Sequence, residues 1–394
     1  MKKIERVLKN RLEQDAKSFR VVTILGPRQS GKTTLAKMTF PDYTYVSLEE
    51  PEMRELATVD PKTFLKRFHS PLVIDEVQRV PEILSYIQTR VDENPDDKGQ
   101  YILTGSHQPL LRERIAQSLA GRTSILILYP LSFHETLSHE GSSKNDMPST
   151  WIHRGFMPEI ISADLNPTRA FQAYTQTYVE RDVRQLIQVK EQLVFERFLR
   201  LLAGRIGQLL NLDSLASDVG VSAATIRNWI SVLEASFIVF RLPPFFKNLG
   251  KRLVKTPKIY FTEIGLAAYL LGIETPEQVE RDPLFGNLFE NVVVMELVKS
   301  KTSQGKNPEL YFYRDSHGNE IDILTEIDRN LVPIEIKSSA TFQKHPLKTL
   351  NFYHKSIDSN CTRSFLIYSG ENGLVTERTQ AYHFTDSVKV FEVD

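Results

Sequence analysis

Five short apolar runs punctuate the first third of the chain, at residues 21–25, 43–48, 72–74, 101–103 and 125–128. Several are continuous rather than alternating, and rich in β-branched and aromatic side chains. That pattern predicts strands, with the run at 72–74 suited to the centre of a parallel sheet. Ile4, Val7, Leu8 and Leu12 share one face of a helix ahead of the first run, and residues 34–38 form a second helix stopped by Pro41. Residues 151–202 then read as mainly helical, including 169–189. From 212 to 240 the spacing predicts two helices and a strand. Strict alternation returns at 320–323 and 333–337.

The first run leads directly into Gly26-Pro27-Arg28-Gln29-Ser30-Gly31-Lys32-Thr33-Thr34. A strand that ends in Gly-x-x-x-x-Gly-Lys-Thr and opens into a helix is a phosphate cradle. Its glycines permit the turn, its backbone N–H groups face phosphate oxygens, and the helix presents its positive end to the same anion. Lys32 would reach the β/γ-phosphates and Thr33 would hold Mg²⁺.

The third run closes on Asp75 and Glu76. Downstream of a phosphate loop, this pair predicts Asp75 in the magnesium shell and Glu76 as the general base that polarises water. A strand at 43–48, lying between the two motifs along the chain, points to additional-strand NTPases with a glutamate base. Thr104 or Ser106, at the end of the fourth run, would sense the γ-phosphate or position the water, with Thr104 preferred.

Residues 26–34, Leu48-Glu49-Glu50-Pro51, Ile74-Asp75-Glu76-Val77-Gln78, Leu103-Thr104-Gly105-Ser106 and Ser118-Leu119-Ala120-Gly121-Arg122 together resemble a bacterial and archaeal family of AAA-type ATPases. Its members carry a C-terminal uncharacterised domain of nuclease-like fold, and the similarity covers nearly the whole chain. The resemblance implies an ATP rather than GTP site; no guanine-specific Asn-Lys-x-Asp run is present. It also implies that Arg122 is a cation near the γ-phosphate, supplied across a subunit interface of a homo-oligomer, the alternative being a surface arginine. A Gly-Pro-Glu turn (here residues 155–159) and a Tyr-x-x-Arg-Asp run (Tyr178 to Asp182) are shared with that family. Either they cover the nucleotide or they form an inter-domain contact.

Lysine plus arginine and aspartate plus glutamate both number 49, so the formal charge is zero, which argues against global attraction to nucleic acid but leaves local patches open. The single cysteine, Cys361, excludes an internal disulfide and a cysteine-rich zinc site and fits a reducing cytosol. The charged first 20 residues lack the apolar core of a secretory signal. The apolar stretch at 124–133 is too short to cross a bilayer. The expected location is cytoplasmic, with no membrane partner.

A polar linker at 139–150 suggests that the ATPase domain spans residues 1–140. A helical connector is expected at 151–202, a winged helix-turn-helix at 203–275 and a C-terminal domain at 276–394. Leu212, Leu215, Ala216 and Val219 pattern the first helix, with Gly220 at its C-cap. Ser222 caps a second helix that turns Ile226, Trp229, Ile230 and Leu233 inward and Thr225, Arg227 and Asn228 outward. The segment 241–258 carries Arg241, Lys247, Lys251, Arg252, Lys255 and Lys258 and no acid. A basic wing of this kind suits duplex or branched DNA, the alternative being a module for packing or protein contacts.

In the C-terminal part, alternation places Glu320 with Asp322 on one strand face and Glu335 with Lys337 on another, the strands joined by a turn at 328–330. Asp322, Glu335 and Lys337 then converge as catalytic candidates, with Asp322 and Glu335 as metal ligands. The spacing resembles the PD-(D/E)xK nuclease superfamily, although Ile321 precedes the aspartate. The resemblance implies a helical glutamate, Glu290 or alternatively Glu296, and a second Mg²⁺ or Mn²⁺. A nuclease fold that only binds, and a solvated charged hairpin, are the other readings. The fold class expected is α/β: a P-loop NTPase domain with a parallel sheet, a helical and winged-helix middle, and a restriction-endonuclease-like C-terminal domain. The function expected is an Mg²⁺-dependent ATPase acting on DNA, the alternative being a nucleotide-dependent switch with an inert C-terminal domain.

Overall fold

In the computed structural model, which describes residues 3–106, 109–139, 141–183, 192–245, 256–341, 345–358 and 361–392, the first strand separates two cores. Strand β1 (Val21–Gly26) is buried throughout its length. Successive side chains of a strand point to opposite faces. Val22 and Ile24 therefore join Leu8, Leu12, Leu35 and Ala36 from the helices Leu8–Ser18 and Lys32–Thr39. Val21 and Leu25 join Ile83, Ile87 and Ile115 from the helices Ile83–Glu93 and Pro109–Ser118.

Strands β2 (Thr44–Ser47), β3 (Leu72–Asp75), β4 (Tyr101–Ser106) and β5 (Thr123–Ile127) complete a sheet in the order β2-β3-β4-β1-β5. Every neighbouring pair is parallel. β2 follows the phosphate loop along the chain but lies at the outer edge; β4 stands between β1 and β3. Parallel strands bring the C-terminal ends of β1, β3 and β4 to one rim, where ligands of open α/β sheets bind.

The middle of the chain is helical. Pro148–Arg154, Pro158–Ser162 and Pro167–Tyr174 each begin on a proline, which suits the first helical turn because its missing N–H would have no partner there. A π-helical stretch, Thr175–Val183, follows, and Gln192–Ala203 is the next described helix. The remainder of the helix expected at 169–189 lies outside the described residues. Asn211 caps Leu212–Val219, Gly220 ends it at φ 86°, and the Ser222 hydroxyl accepts from Thr225 N at the start of Ala223–Ala235. Ile226, Trp229, Ile230 and Leu233 are buried, as their spacing requires. Strands β6 (Val239–Leu242) and β7 (Lys258–Phe261) form an antiparallel ribbon behind these helices.

The basic wing is corrected in part. Lys247, Lys251, Arg252 and Lys255 lie outside the described residues. Arg241 pairs with Glu234. Lys258 is buried, only 3% exposed, because its ammonium has counter-charges inside the molecule.

The C-terminal sheet has six strands: β8 (Leu310–Arg314), β9 (Glu320–Ile327), β10 (Asn330–Lys337), β11 (Ser364–Tyr368), β12 (Gly373–Thr376) and β13 (Thr379–His383). Their order is β12-β13-β11-β10-β9-β8. β9 and β10 are antiparallel and adjacent, as the alternation implies, and Asp328 and Arg329 make the turn with φ of 50° and 64°. The helix Phe285–Ser303 packs on β10, and its Phe289 and Val293 belong to the same core as Phe133, Trp151 and Phe156. That core runs without a break from the middle helices into the C-terminal sheet.

Candidate functional site

The loop after β1 carries two glycine requirements. A side chain at Gly26 would run into the Leu128 carbonyl, and Gly31 has φ 91°, a region L side chains rarely adopt. Gln29 also has positive φ, 64°. The helix Lys32–Thr39 therefore starts with the loop folded back over its N-terminus, the arrangement that aims N–H groups at an anion. Lys32 is 5% exposed, and its ammonium donates to the Pro27 carbonyl at 2.7 Å and the Gly26 carbonyl at 3.2 Å. Burial lowers its pKa to about 8, with Glu76 and Asp75 acting in the opposite direction.

Asp75, at the end of β3, accepts from three hydroxyls. Thr33 lies 2.9 Å from Oδ1, Tyr45 lies 2.9 Å from Oδ2, and Thr104 donates to Oδ1. The register explains the gathering: β3 sits between β2 and β4, so one residue of each neighbour reaches its end. Thr104 thus stands beside the metal candidate. Glu76 follows in the left-handed conformation (φ 58°), a costly backbone state that persists where the surroundings enforce it. Burial pushes the Glu76 carboxyl above the usual carboxylate range, against the pull of Lys32, and the Gln78 amide donates to it.

A cavity of about 490 Å³ opens at the loop. Its lining includes Lys32, Thr33, Thr34 and Glu76, the basic side chains of Arg6, Lys9 and Arg28, and the apolar Ile4, Leu131 and Pro158. The volume suits a nucleotide-sized ligand. The Gly-Pro-Glu turn is therefore beside the cavity, through Pro158 and Glu159. The Tyr-x-x-Arg-Asp run approaches the same loop, with the Arg28 guanidinium 5.7 Å from the Tyr178 ring centroid. The side chains of Arg181 and Asp182 lie outside the described set. Ser30 is fully buried, and its carbonyl accepts from Arg6 at 2.6 Å. The donor set fits a nucleotide with its magnesium: a buried ammonium, a hydroxyl–carboxylate pair and a glycine cradle share one rim.

Arg122 is not at this rim. It sits ahead of β5, at the opposite end of the sheet, where its carbonyl accepts from Val21 N and its guanidinium grips Asp92 at 2.8 and 2.7 Å. A role in the site of its own chain is thereby excluded, because the strands separate the two rims.

Asp322, Glu335, Lys337 and Glu290 do come together. Lys337 Nζ lies 3.2 Å from Asp322 and 3.1 Å from Glu335, and Ile336 N donates to Asp322 at 2.8 Å. Lys258 enters the same cluster, 2.9 Å from Glu290 and 2.6 Å from Glu320. Tyr260 donates to Glu290 at 2.5 Å. Burial pushes Glu335 well above the carboxylate range, reinforced by Asp322. Burial opposes the charge on Lys258, yet Glu290, Asp322 and Glu320 outweigh it and raise its pKa. Among the described residues, no three carboxylate or imidazole groups are placed to hold a metal ion. The cluster does not fit a divalent cation, since its acids are already closed on two ammonium groups. Glu296 points elsewhere: it accepts from Phe133 N at 2.9 Å and pairs with Lys299. Glu290 and Glu296 are six positions apart, roughly 240° around the helix.

Arg6, Tyr45 and Lys258 were not legible as site residues. Arg6 and Lys258 come from elements remote from the motifs they serve. A tyrosine on the neighbouring strand was the one available signal for Tyr45. Among the described residues no helix is long and apolar enough to cross a membrane.

Comparison with known proteins finds three matching domains along the chain. An AAA domain matches residues 18–137, a domain of unknown function (DUF8612) matches 146–277, and a second (DUF4143) matches 285–394. The uncharacterized protein Rv2008c of Mycobacterium tuberculosis is 30% identical over 356 residues, covering 89% of this chain and 77% of its own length. An uncharacterized protein of Haemophilus influenzae is 25% identical over 311 residues, covering 71% and 74%. Among solved structures, the Walker-type ATPase paby2304 of Pyrococcus abyssi overlaps 67% of this chain and 94% of its own at 15% identity and a TM-score of 0.45. AMPPCP-bound DnaA from Aquifex aeolicus overlaps 58% and 86% at 14% identity and a TM-score of 0.30. With its phosphate loop inside the AAA match and a mycobacterial relative alike along most of both chains, this protein belongs to the family of AAA-type P-loop ATPases that carry these two domains of unknown function.

Proposed function

We propose that the amino-terminal domain binds ATP with Mg²⁺ and hydrolyses it, and that turnover rearranges the middle and C-terminal parts. The observation that carries this reading is the convergence on Asp75 of the Thr33, Tyr45 and Thr104 hydroxyls, next to a cavity that Lys32, Thr33 and Glu76 line. Thr33 and Asp75 would hold the magnesium ion, whose chemistry is to neutralise charge on the β- and γ-phosphates. The backbone of residues 26–34 receives the phosphates, Lys32 stabilises charge on the transferred group, and Glu76 takes a proton from the attacking water. A carboxyl lifted by burial is a better base near neutral pH than an exposed one. Thr104 orients Asp75. The family resemblance supports a role in trans for Arg122, which Asp92 holds on the far rim, in the site of a neighbouring subunit of a homo-oligomer.

The test is ATP turnover by the full chain. Lys32→Ala should abolish nucleotide binding, and Glu76→Gln should bind without turnover. Wild-type hydrolysis by Glu76→Gln would refute the assignment of the base. No calorimetric heat for ATP, ADP or GTP with Mg²⁺ would refute the site.

A duplex-DNA partner is supported by the helix-turn-helix and its two-stranded ribbon, with Arg227 and Asn228 exposed on the second helix. Binding of labelled duplex, falling steeply with salt and weakened by Arg227→Ala, is the expected result. No binding at low salt would favour the nucleotide-dependent switch that docks proteins. Metal-dependent cleavage at Asp322, Glu335 and Lys337 is not carried into the proposal, because among the described residues no third acid joins Asp322 and Glu335 to hold a metal ion, and Lys337 bridges the two.

A further inference from the structure

We propose that Lys258 is the resident cation of the C-terminal acid cluster, taking the place of a divalent ion and fastening the middle ribbon to the C-terminal domain. The expectation from sequence treats Lys258 as part of a DNA-facing wing, and Glu290, Asp322 and Glu335 as metal ligands. The structure joins these two features and changes the meaning of both.

Lys258 and Tyr260 alternate onto the same face of β7, and both reach Glu290 on the helix Phe285–Ser303. Lys258 also closes on Glu320 at the start of β9, which Arg314 meets from β8 at 3.2 Å. The side chain of Lys258 is 4% exposed and that of Glu290 14%. A buried charge persists only with partners at this range, and removing one partner leaves the other uncompensated. The other acids are served by Lys337, which bridges Asp322 and Glu335. Four carboxylates thus face three cations from the chain itself, which leaves one negative charge where a divalent ion would bring two positive ones.

Lys258 is not a side chain poised to swing away. Its main chain is held in the β6–β7 ribbon opposite Leu242, and it forms a further bridge to Leu209. Three residues on, Phe261 exchanges two hydrogen bonds with the Asn291 amide, at 2.7 and 2.9 Å, on the same helix as Glu290. Nearby, Phe245 and Phe312 join the segment after β6 to β8 through a 2.7 Å backbone bond. The ammonium therefore belongs to a clamp between ribbon, helix and sheet. Emptying the cluster for a metal would require pulling the ribbon off the helix.

The test uses the nucleotide-free full chain and reads Mn²⁺ binding by electron paramagnetic resonance, with ATP turnover as a separate measurement. Wild type should hold no Mn²⁺ that depends on Asp322. Lys258→Met, which keeps the stem and removes the charge, should gain one Mn²⁺ per chain and lose it again when Asp322→Asn is added. Lys258→Arg should behave as wild type. Where Lys258→Met alone folds poorly, Lys258→Met with Glu290→Gln should be more stable, since the stranded carboxylate is gone. Mn²⁺ held by wild type and released by Asp322→Asn would overturn the proposal. So would a folded Lys258→Met that gains no ion, or a double variant no more stable than the single one. ATP turnover is expected to survive in every variant, so a failure here is distinct from a failure at Glu76.

Discussion

Arg6 lies 3.0 Å from Glu135, and both side chains are buried. Through its outer nitrogens Arg6 also donates to the carbonyls of Ser30 and Tyr129, each at 2.6 Å. The chain's first segment thereby ties the phosphate loop to the helix Phe133–Leu137, which Glu135 also caps. Arg6→Ala strands a buried carboxylate and should cost about 3–5 kcal/mol in a denaturant titration. Adding Glu135→Gln should return part of that loss. No recovery would mean that the pair is not coupled.

Tyr45→Phe deletes one of the three donors to Asp75 without altering the strand. Partners of a metal-holding carboxylate are worth about 10- to 100-fold in metal affinity. The half-saturating Mg²⁺ for ATP turnover should rise by such a factor, with turnover restored at high Mg²⁺. An unchanged Mg²⁺ curve would show that Tyr45 does not tune the site.

Gly31→Ala places a Cβ at φ 91°, where the neighbouring Arg6 and Pro158 atoms are at ordinary contact distance. The penalty is therefore conformational, about 1–2 kcal/mol. Calorimetry should show weaker ATP binding and thermal melting a lower midpoint.

Burial raises the Glu296 carboxyl to about 7, with Lys299 pulling the other way. A folded-state value above the unfolded one stabilises the protein fully below about 4.5 and loses that contribution as pH rises through about 7. Wild type should therefore lose stability across this window relative to Glu296→Gln, by at most about 3.4 kcal/mol. Parallel pH profiles for the two proteins would remove Glu296 as the cause.

The two chemical motifs of the amino-terminal third were legible because their geometry is local. A Gly-x-x-x-x-Gly-Lys-Thr run sets its own turn, and an apolar strand ending in two acids sets its own burial. The caps at Gly220 and Ser222 and the 328–330 turn are local in the same sense. Glu290 and Glu296 could not be separated by spacing to the acidic strands. Their helix has partners on two sides, and only packing shows which side each acid faces.

The amino-acid order alone determined where the strand, the cradle and the acidic pair lie, since short-range sterics and backbone hydrogen bonds act over a few residues. Tertiary structure alone decided that β4 rather than β2 separates β1 from β3, and that Arg122 faces the rim opposite the phosphate loop. It also decided that Lys258 closes on Glu290 and Glu320. Charge pairing depends on distance in space, and residues 32 and 62 positions apart become neighbours only when ribbon, helix and sheet bury their shared core.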